Sequence, residues 1–160
     1  VPATPATTFL LKHGISFELL EYAHDPRAEA YGREAAEKLG LDPAAVFKTL
    51  VISGEKNAHA LALVPSADRL SFGAAARALG WKRAAMADPA AAQRLTGYVL
   101  GGISPFGTKR PLSVILDSTA EVHAKIHVSG GRRGLEIALR PIDLVAALTA
   151  RMAEIRVVGA

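Results

Sequence analysis

Apolar and polar positions change period several times along this chain. Phe9 and Leu10 lie in a stretch opened by Thr4-Pro5 and closed by Gly14. Threonine caps helices and proline is tolerated in the first turn, so a short helix is predicted from Pro5 to His13. Phe17, Leu19 and Tyr22 then alternate with Glu18 and Glu21, the period of a strand with one buried face, and His24-Asp25-Pro26 ends it. Ala35, Ala36 and Leu39 fall together at helical spacing between Arg33 and Gly40. Asp42-Pro43 starts a further helical turn. Two apolar runs, Val46 to Ile52 and Ala58 to Val64, flank the turn at residues 53–57 and read as a hairpin.

The second half continues in the same mixed style. Leu70, Ala74, Ala75 and Leu79 predict a helix from Asp68 to Ala78, stopped by Gly80. A short strand is predicted at 83–86, and Asp88-Pro89 opens a helix ending near Gly97. Leu112 to Leu116, Lys125 to Val128 and Gly134 to Leu139 are strand candidates. A helix from Pro141 to about Met152 and a strand at 155–158 complete the pattern. Helices and strands interleave without repeats or linkers. The predicted fold is α+β: one compact domain over residues 1–160, with a curled, barrel-like mixed sheet surrounded by helices.

Composition narrows the chemistry more than the fold. At 160 residues, with 50% apolar and 21% charged residues, a single globular core is expected. There is no cysteine, which removes disulfides, thiolate metal sites and cysteine nucleophiles. No apolar run approaches the roughly 20 residues a membrane helix needs. The first residues do not read as a signal peptide, so a cytoplasmic protein is the expectation. Net charge is +4, and basic pairs stand beside flexible backbone at Lys82-Arg83, Lys109-Arg110 and Arg132-Arg133. Such pairs suit phosphate contacts that position a nucleic acid, and they equally suit solvated loops.

Three segments could carry chemistry. Lys48 interrupts the apolar run from Val46 to Ile52 and shares a strand face with Leu50 and Ile52. It could cover that face with its stem, or neutralise an anion at a pocket mouth. Residues 101–107, Gly-Gly-Ile-Ser-Pro-Phe-Gly, form a glycine-rich turn where exposed N–H groups could stabilise a developing oxyanion and Ser104 could donate. The spacing is not that of a phosphate-binding P-loop. Residues 128–134 form a second such turn, in which Ser129 could position a substrate and Arg132 and Arg133 could hold phosphates. A tight connection explains either turn as well. His123 and His127 lie in a predicted strand, where four residues span roughly 13 Å, too far for one metal ion. Most acidic residues have cap or turn positions; Asp117 lies at a strand end, and Glu136 near the second glycine turn is a possible site member. No nucleophile–base pair is recognisable.

The ordered set formed by residues 33–40, 46–50, 97–105 and 128–135 resembles the YbaK/EbsC family of aminoacyl-tRNA deacylases, including its Cys-tRNA(Pro) deacylase branch and the related editing domain of prolyl-tRNA synthetases. The resemblance spans roughly residues 4–157. It implies release of cysteine from mischarged tRNA(Pro) in trans, with aminoacylated tRNA as partner, a link to prolyl-tRNA synthetase, no cofactor and no membrane. It implies that Lys48 holds the tRNA 3′ end and orients the ester, and that the Gly101 backbone faces the reacting carbonyl. Ser129 and Tyr22 correspond to pocket positions, and Tyr31 to a position the family fills with an aromatic. Thr49, Gly102 and Ser104 are motif neighbours, and Gly130, Gly131 and Arg132 complete the second turn as substrate-binding candidates. The mechanism implied for the cysteine branch uses the substrate's own thiol, which would suit a chain without a protein thiol. A water oriented by the ribose hydroxyl is the competing route. Three other readings stand beside it: an editing hydrolase for Ala-tRNA(Pro) or another small aminoacyl ester, a noncatalytic module binding tRNA or a synthetase, and a generic small-molecule-binding α+β domain.

Overall fold

The computed structural model describes residues 2–28 and 31–158. Its α+β architecture is built on a five-stranded mixed sheet. Strands β2 (Phe47–Ser53) and β3 (His59–Pro65) form the expected hairpin, in register from Phe47 opposite Pro65 to Ser53 opposite His59. The short β5 (Ala85–Met86) lines the outer edge of β2. On the other side β6 (Ser113–Asp117) runs parallel to β3, and β9 (Arg151–Ala153) parallel to β6, giving the order β5-β2-β3-β6-β9. The central β3 is apolar on both faces because both are covered. Leu61 and Leu63 join Leu10, Phe47, Val51, Phe106, Leu116 and Leu144 in one core, whereas Ala60, Ala62 and Val64 join Ile52, Ile115 and Ile155 in the other.

A second, antiparallel sheet has the order β1 (Glu18–Glu21), β8 (Leu135–Leu139), β7 (Ile126–Ser129). Its middle strand β8 is buried along its length. Among the described residues an isolated bridge between Val46 and His127 links the two sheets, so the start of β2 lies beside β7. A third pair joins β4 (Arg69–Leu70) to β10 (Arg156–Val157). The strands are thus divided among three sheets, and none closes into a barrel.

Helices cover the faces. Thr4 caps α1 (Pro5–Lys12), accepting from the Thr7 N–H at 3.2 Å. The others are α2 (Tyr31–Leu39), α3 (Phe72–Leu79), α4 (Pro89–Thr96) and α5 (Pro141–Leu148). Three expectations shift. The helix predicted from Asp68 begins only at Phe72, because Arg69 and Leu70 pair with the C-terminal β10 and Ser71 takes the cap, accepting from the Ala74 N–H. The helix predicted to reach Met152 stops at Leu148; Thr149 turns left-handed, and Met152 lies in β9. His123 also lies outside any strand, following a 3-10 turn at Ser118–Val122, so the strand that was to separate it from His127 starts only at Ile126. Among the described residues no group of three or more His, Cys, Asp or Glu side chains could share a metal ion. No helix among them is long and apolar enough to cross a membrane.

Candidate active site

A cavity of about 650 Å³ opens at the seam between the two larger sheets. β2 supplies Lys48 and Thr49, β7 supplies Ser129, β8 supplies Glu136, and the turn after α4 supplies Leu100 and Gly101. Arg33 of α2, Ser66 and Met86 complete the polar and apolar rim. Five of the candidates singled out in the sequence, Lys48, Thr49, Gly101, Ser129 and Glu136, therefore meet in one cavity although they span more than eighty residues of chain.

Lys48 is half-buried, and its Nζ has one long contact, 3.5 Å from the Ser66 carbonyl oxygen. Burial lowers its pKa below the ordinary lysine value, and the nearby Arg33 charge adds to that while Asp68 opposes it. Its ammonium donors are under-used, the condition in which a cation binds an incoming anion. The Thr49 Oγ1 and the Glu136 Oε2 are buried with no hydrogen-bond partner among the described residues. Buried polar atoms are normally paired, so two orphans on residues of one cavity single it out as a candidate site for a polar ligand. Glu136 is 6% exposed, and burial pushes its pKa up to about 8.

Gly101 sits at φ +86°, third in a four-residue turn closed by the Gly102 N–H donating to the Val99 carbonyl at 3.0 Å. A left-handed residue at that position is what a type II turn requires. The Ser129 Oγ accepts from the Gly131 N–H at 3.2 Å, which fixes the oxygen and leaves its O–H to donate.

The remaining candidates have other places. Gly102 packs against the second glycine turn so closely that a Cβ there would lie 2.9 Å from the Arg132 Cα. Ser104 is fully buried, and its Oγ accepts from the Phe106 N–H. Gly130 donates its N–H to the Leu135 carbonyl at 2.7 Å, and Gly131, at φ +107°, lies against Thr4 and Tyr98. These four hold the two turns together and are not cavity walls. Arg132 reaches an exposed ion pair with Glu21, 3.3 Å away. Tyr22 is partly buried beside Ala35, Ala36 and Val46, its pKa pushed up to about 12 by burial and by the Glu136 charge behind it. The Tyr31 side chain lies outside the described residues. Sequence reading passed over Arg33, Ser66 and Met86 as site members, and named Glu136 only by its nearness to a turn. A stronger signal for Glu136 was available: it is the sole charge in the apolar run Leu135–Leu139.

The family of aminoacyl-tRNA editing domains matches residues 25–147, a range that contains every wall of this cavity. The candidate Cys-tRNA(Pro)/Cys-tRNA(Cys) deacylase EbsC of Enterococcus faecalis is 31% identical over 152 residues, covering 95% of this chain and 92% of that protein. The crystal structure of a candidate trans-editing enzyme for prolyl-tRNA synthetase is 27% identical with a TM-score of 0.85, over 98% of this chain and 99% of that one. A hypothetical protein of 23% identity shares the fold with a TM-score of 0.86, over 96% of this chain and all of that one. Fold and cavity together define an aminoacyl-tRNA editing deacylase. The chain belongs to the aminoacyl-tRNA editing domain family, within its YbaK/EbsC group.

Proposed function

We propose that this protein acts in trans, in the cytoplasm, to remove cysteine from Cys-tRNA(Pro) charged in error by prolyl-tRNA synthetase. The observation that carries the reading is the unpaired Glu136 carboxyl in a cavity whose mouth holds the under-used Lys48 ammonium. Lys48 takes the phosphate or ribose of the tRNA 3′ end, and Ser129 orients the aminoacyl group by hydrogen bonding.

The attacking sulfur is the substrate's own, a route that suits a chain without cysteine. Its thiol loses a proton to the Glu136 carboxylate and attacks the ester carbonyl. A carboxyl titrating near 8 is matched to a thiol, whose ordinary pKa is about 8.5. A carbon–sulfur bond forms, negative charge gathers on the carbonyl oxygen facing the Gly101 N–H, and the carbon–oxygen bond to the ribose breaks. The proton returns to the departing ribose oxygen. The products are a cyclic thiolactone and free tRNA. The protein's contribution is to hold thiol and carbonyl in reach and to stabilise the oxyanion.

The test compares release of amino acid from Cys-tRNA(Pro), Ala-tRNA(Pro) and Pro-tRNA(Pro), with the Lys48→Ala variant alongside. Loss of cysteine alone, largely abolished by the substitution, is the expected result. Alanine released at a comparable rate would replace the thiol route by water attack and widen the specificity. No release of any ester would leave a tRNA-binding module.

A further inference from the structure

Lys48 and Leu50 also wall a second hollow of about 440 Å³, completed by Arg69, Leu70, Phe72 and Val157. It lies where β4 and β10 meet the start of α3. Two of its apolar side chains remain open to solvent, Phe72 at 37% and Val157 at 39%. Lys48 thus stands between two hollows, with Arg33 on the rim of one and Arg69 on the rim of the other. Both arginines are exposed and make no ion pair among the described residues. The acid near Lys48, Asp68, is held by Arg156 at 3.0 Å. The result is three cations along two adjoining hollows, with a partly exposed aromatic ring in the second.

Resting on the deacylase reading of the main cavity, we infer that this hollow receives the nucleotide immediately before the esterified terminal adenosine. Its base stacks on Phe72, and its phosphates lie between Lys48 and Arg69. Single-stranded RNA is bound by this combination of a basic track and an aromatic platform, because every base has a π-face and every link a charge. An apolar protein segment would use Phe72 and Val157 but would leave the cations without counter-charges.

The experiment measures kcat/KM for two cysteine esters, Cys-tRNA(Pro) and 3′-O-cysteinyl-adenosine, in the unmodified protein and in Arg69→Gln, Phe72→Ala and Phe72→Tyr. Anisotropy of a labelled RNA hairpin, with and without an unpaired CCA end, is read on the same four proteins. Phe72→Ala is expected to lower the preference for the long ester about fivefold or more, and Phe72→Tyr to preserve it. Arg69→Gln is expected to reduce the salt slope of hairpin binding by about 0.7, the effect of one single-strand phosphate contact. An unchanged preference, or an equal loss on both esters, overturns the inference. If neither ester is turned over by the unmodified protein, the deacylase reading fails and anisotropy decides the hollow separately. Tail-dependent binding that weakens in Phe72→Ala and Arg69→Gln supports it. Binding that ignores the tail or the substitutions removes it.

Discussion

The guanidinium of Arg133 donates to the carbonyl oxygen of Leu100 from two nitrogens, Nε at 3.1 Å and Nη2 at 2.6 Å. The Leu100–Gly101 peptide is trans, so pinning its carbonyl oxygen fixes its N–H on the opposite side. Arg133 therefore positions the Gly101 N–H through the Leu100 carbonyl. Arg133→Ala is expected to lower kcat by about tenfold to a hundredfold, approaching the loss of an oxyanion donor. KM should move little, and Arg133→Lys should recover only part of the rate because lysine cannot make the two-nitrogen contact. A fall in kcat/KM carried entirely by KM would show that Arg133 binds tRNA instead.

Glu136 gives the protein a pH signature. Its carboxyl titrates near 8 when folded and in the ordinary glutamate range when unfolded. Between those values the folded state keeps a proton that the unfolded state has lost. Stability therefore falls as pH rises from about 4.5 to 8, by a few kcal/mol from this group, and Glu136→Gln should flatten that fall. Urea unfolding of both proteins at pH 5 and pH 8 measures it. In turnover the slope has the opposite sign. If the ionised carboxylate is the base, as proposed, kcat should climb with pH towards 8, and the glutamine variant should lose the climb together with most of its rate.

Thr49 separates stability from function. Its buried Oγ1 has no partner among the described residues, so Thr49→Val removes an unsatisfied group while keeping the shape. Thermal unfolding should show a gain of about 1 kcal/mol. Substrate binding should weaken severalfold in the same variant. A stability loss would mean that the hydroxyl is satisfied in solution, by water.

Asp117 has the reverse profile. It is fully buried, accepts the N–H groups of Ile155 at 2.9 Å and Arg156 at 3.1 Å through Oδ1, and receives both the N–H and the hydroxyl of Thr119 on Oδ2. Asp117→Ala strands those donors. The expected cost is about 3 kcal/mol, or roughly 6–12 °C in Tm for a chain of this size. Calorimetry would register it, whereas Asp117→Asn, which keeps Oδ1, should lose less.

Much of this architecture was readable because local signals agreed with burial. The Phe47–Pro65 hairpin followed from two apolar runs around a polar turn, and Pro5, Pro43 and Pro89 each mark a helix start. What escaped depended on distant pairing. Arg69 and Leu70 continue a helical pattern in the sequence, yet they form a strand because Arg156 and Val157 come to lie beside them. The site divides in the same way. Lys48 betrayed itself as a charge in an apolar strand, but the same sign at Glu136 received less weight than the neighbouring glycines. Gly102, Ser104, Gly130 and Gly131 show why: glycine and serine in a turn look alike in sequence whether the backbone must approach a ligand or another turn. Only the 2.9 Å clearance at Gly102 reveals the second case.

The threonine that begins the first helix has a wider reach than capping. The Thr4 hydroxyl donates to the Gly130 carbonyl at 2.6 Å, in the turn that follows Ser129. The start of α1 is thereby a mechanical support of the cavity wall at Ser129. Load applied ahead of Thr4, whether by an affinity handle or a fused partner, is passed to the turn that follows Ser129. A handle at the opposite end leaves this tether untouched, and a kinetic comparison between differently tagged preparations would otherwise mistake a tug on Thr4 for a property of the enzyme.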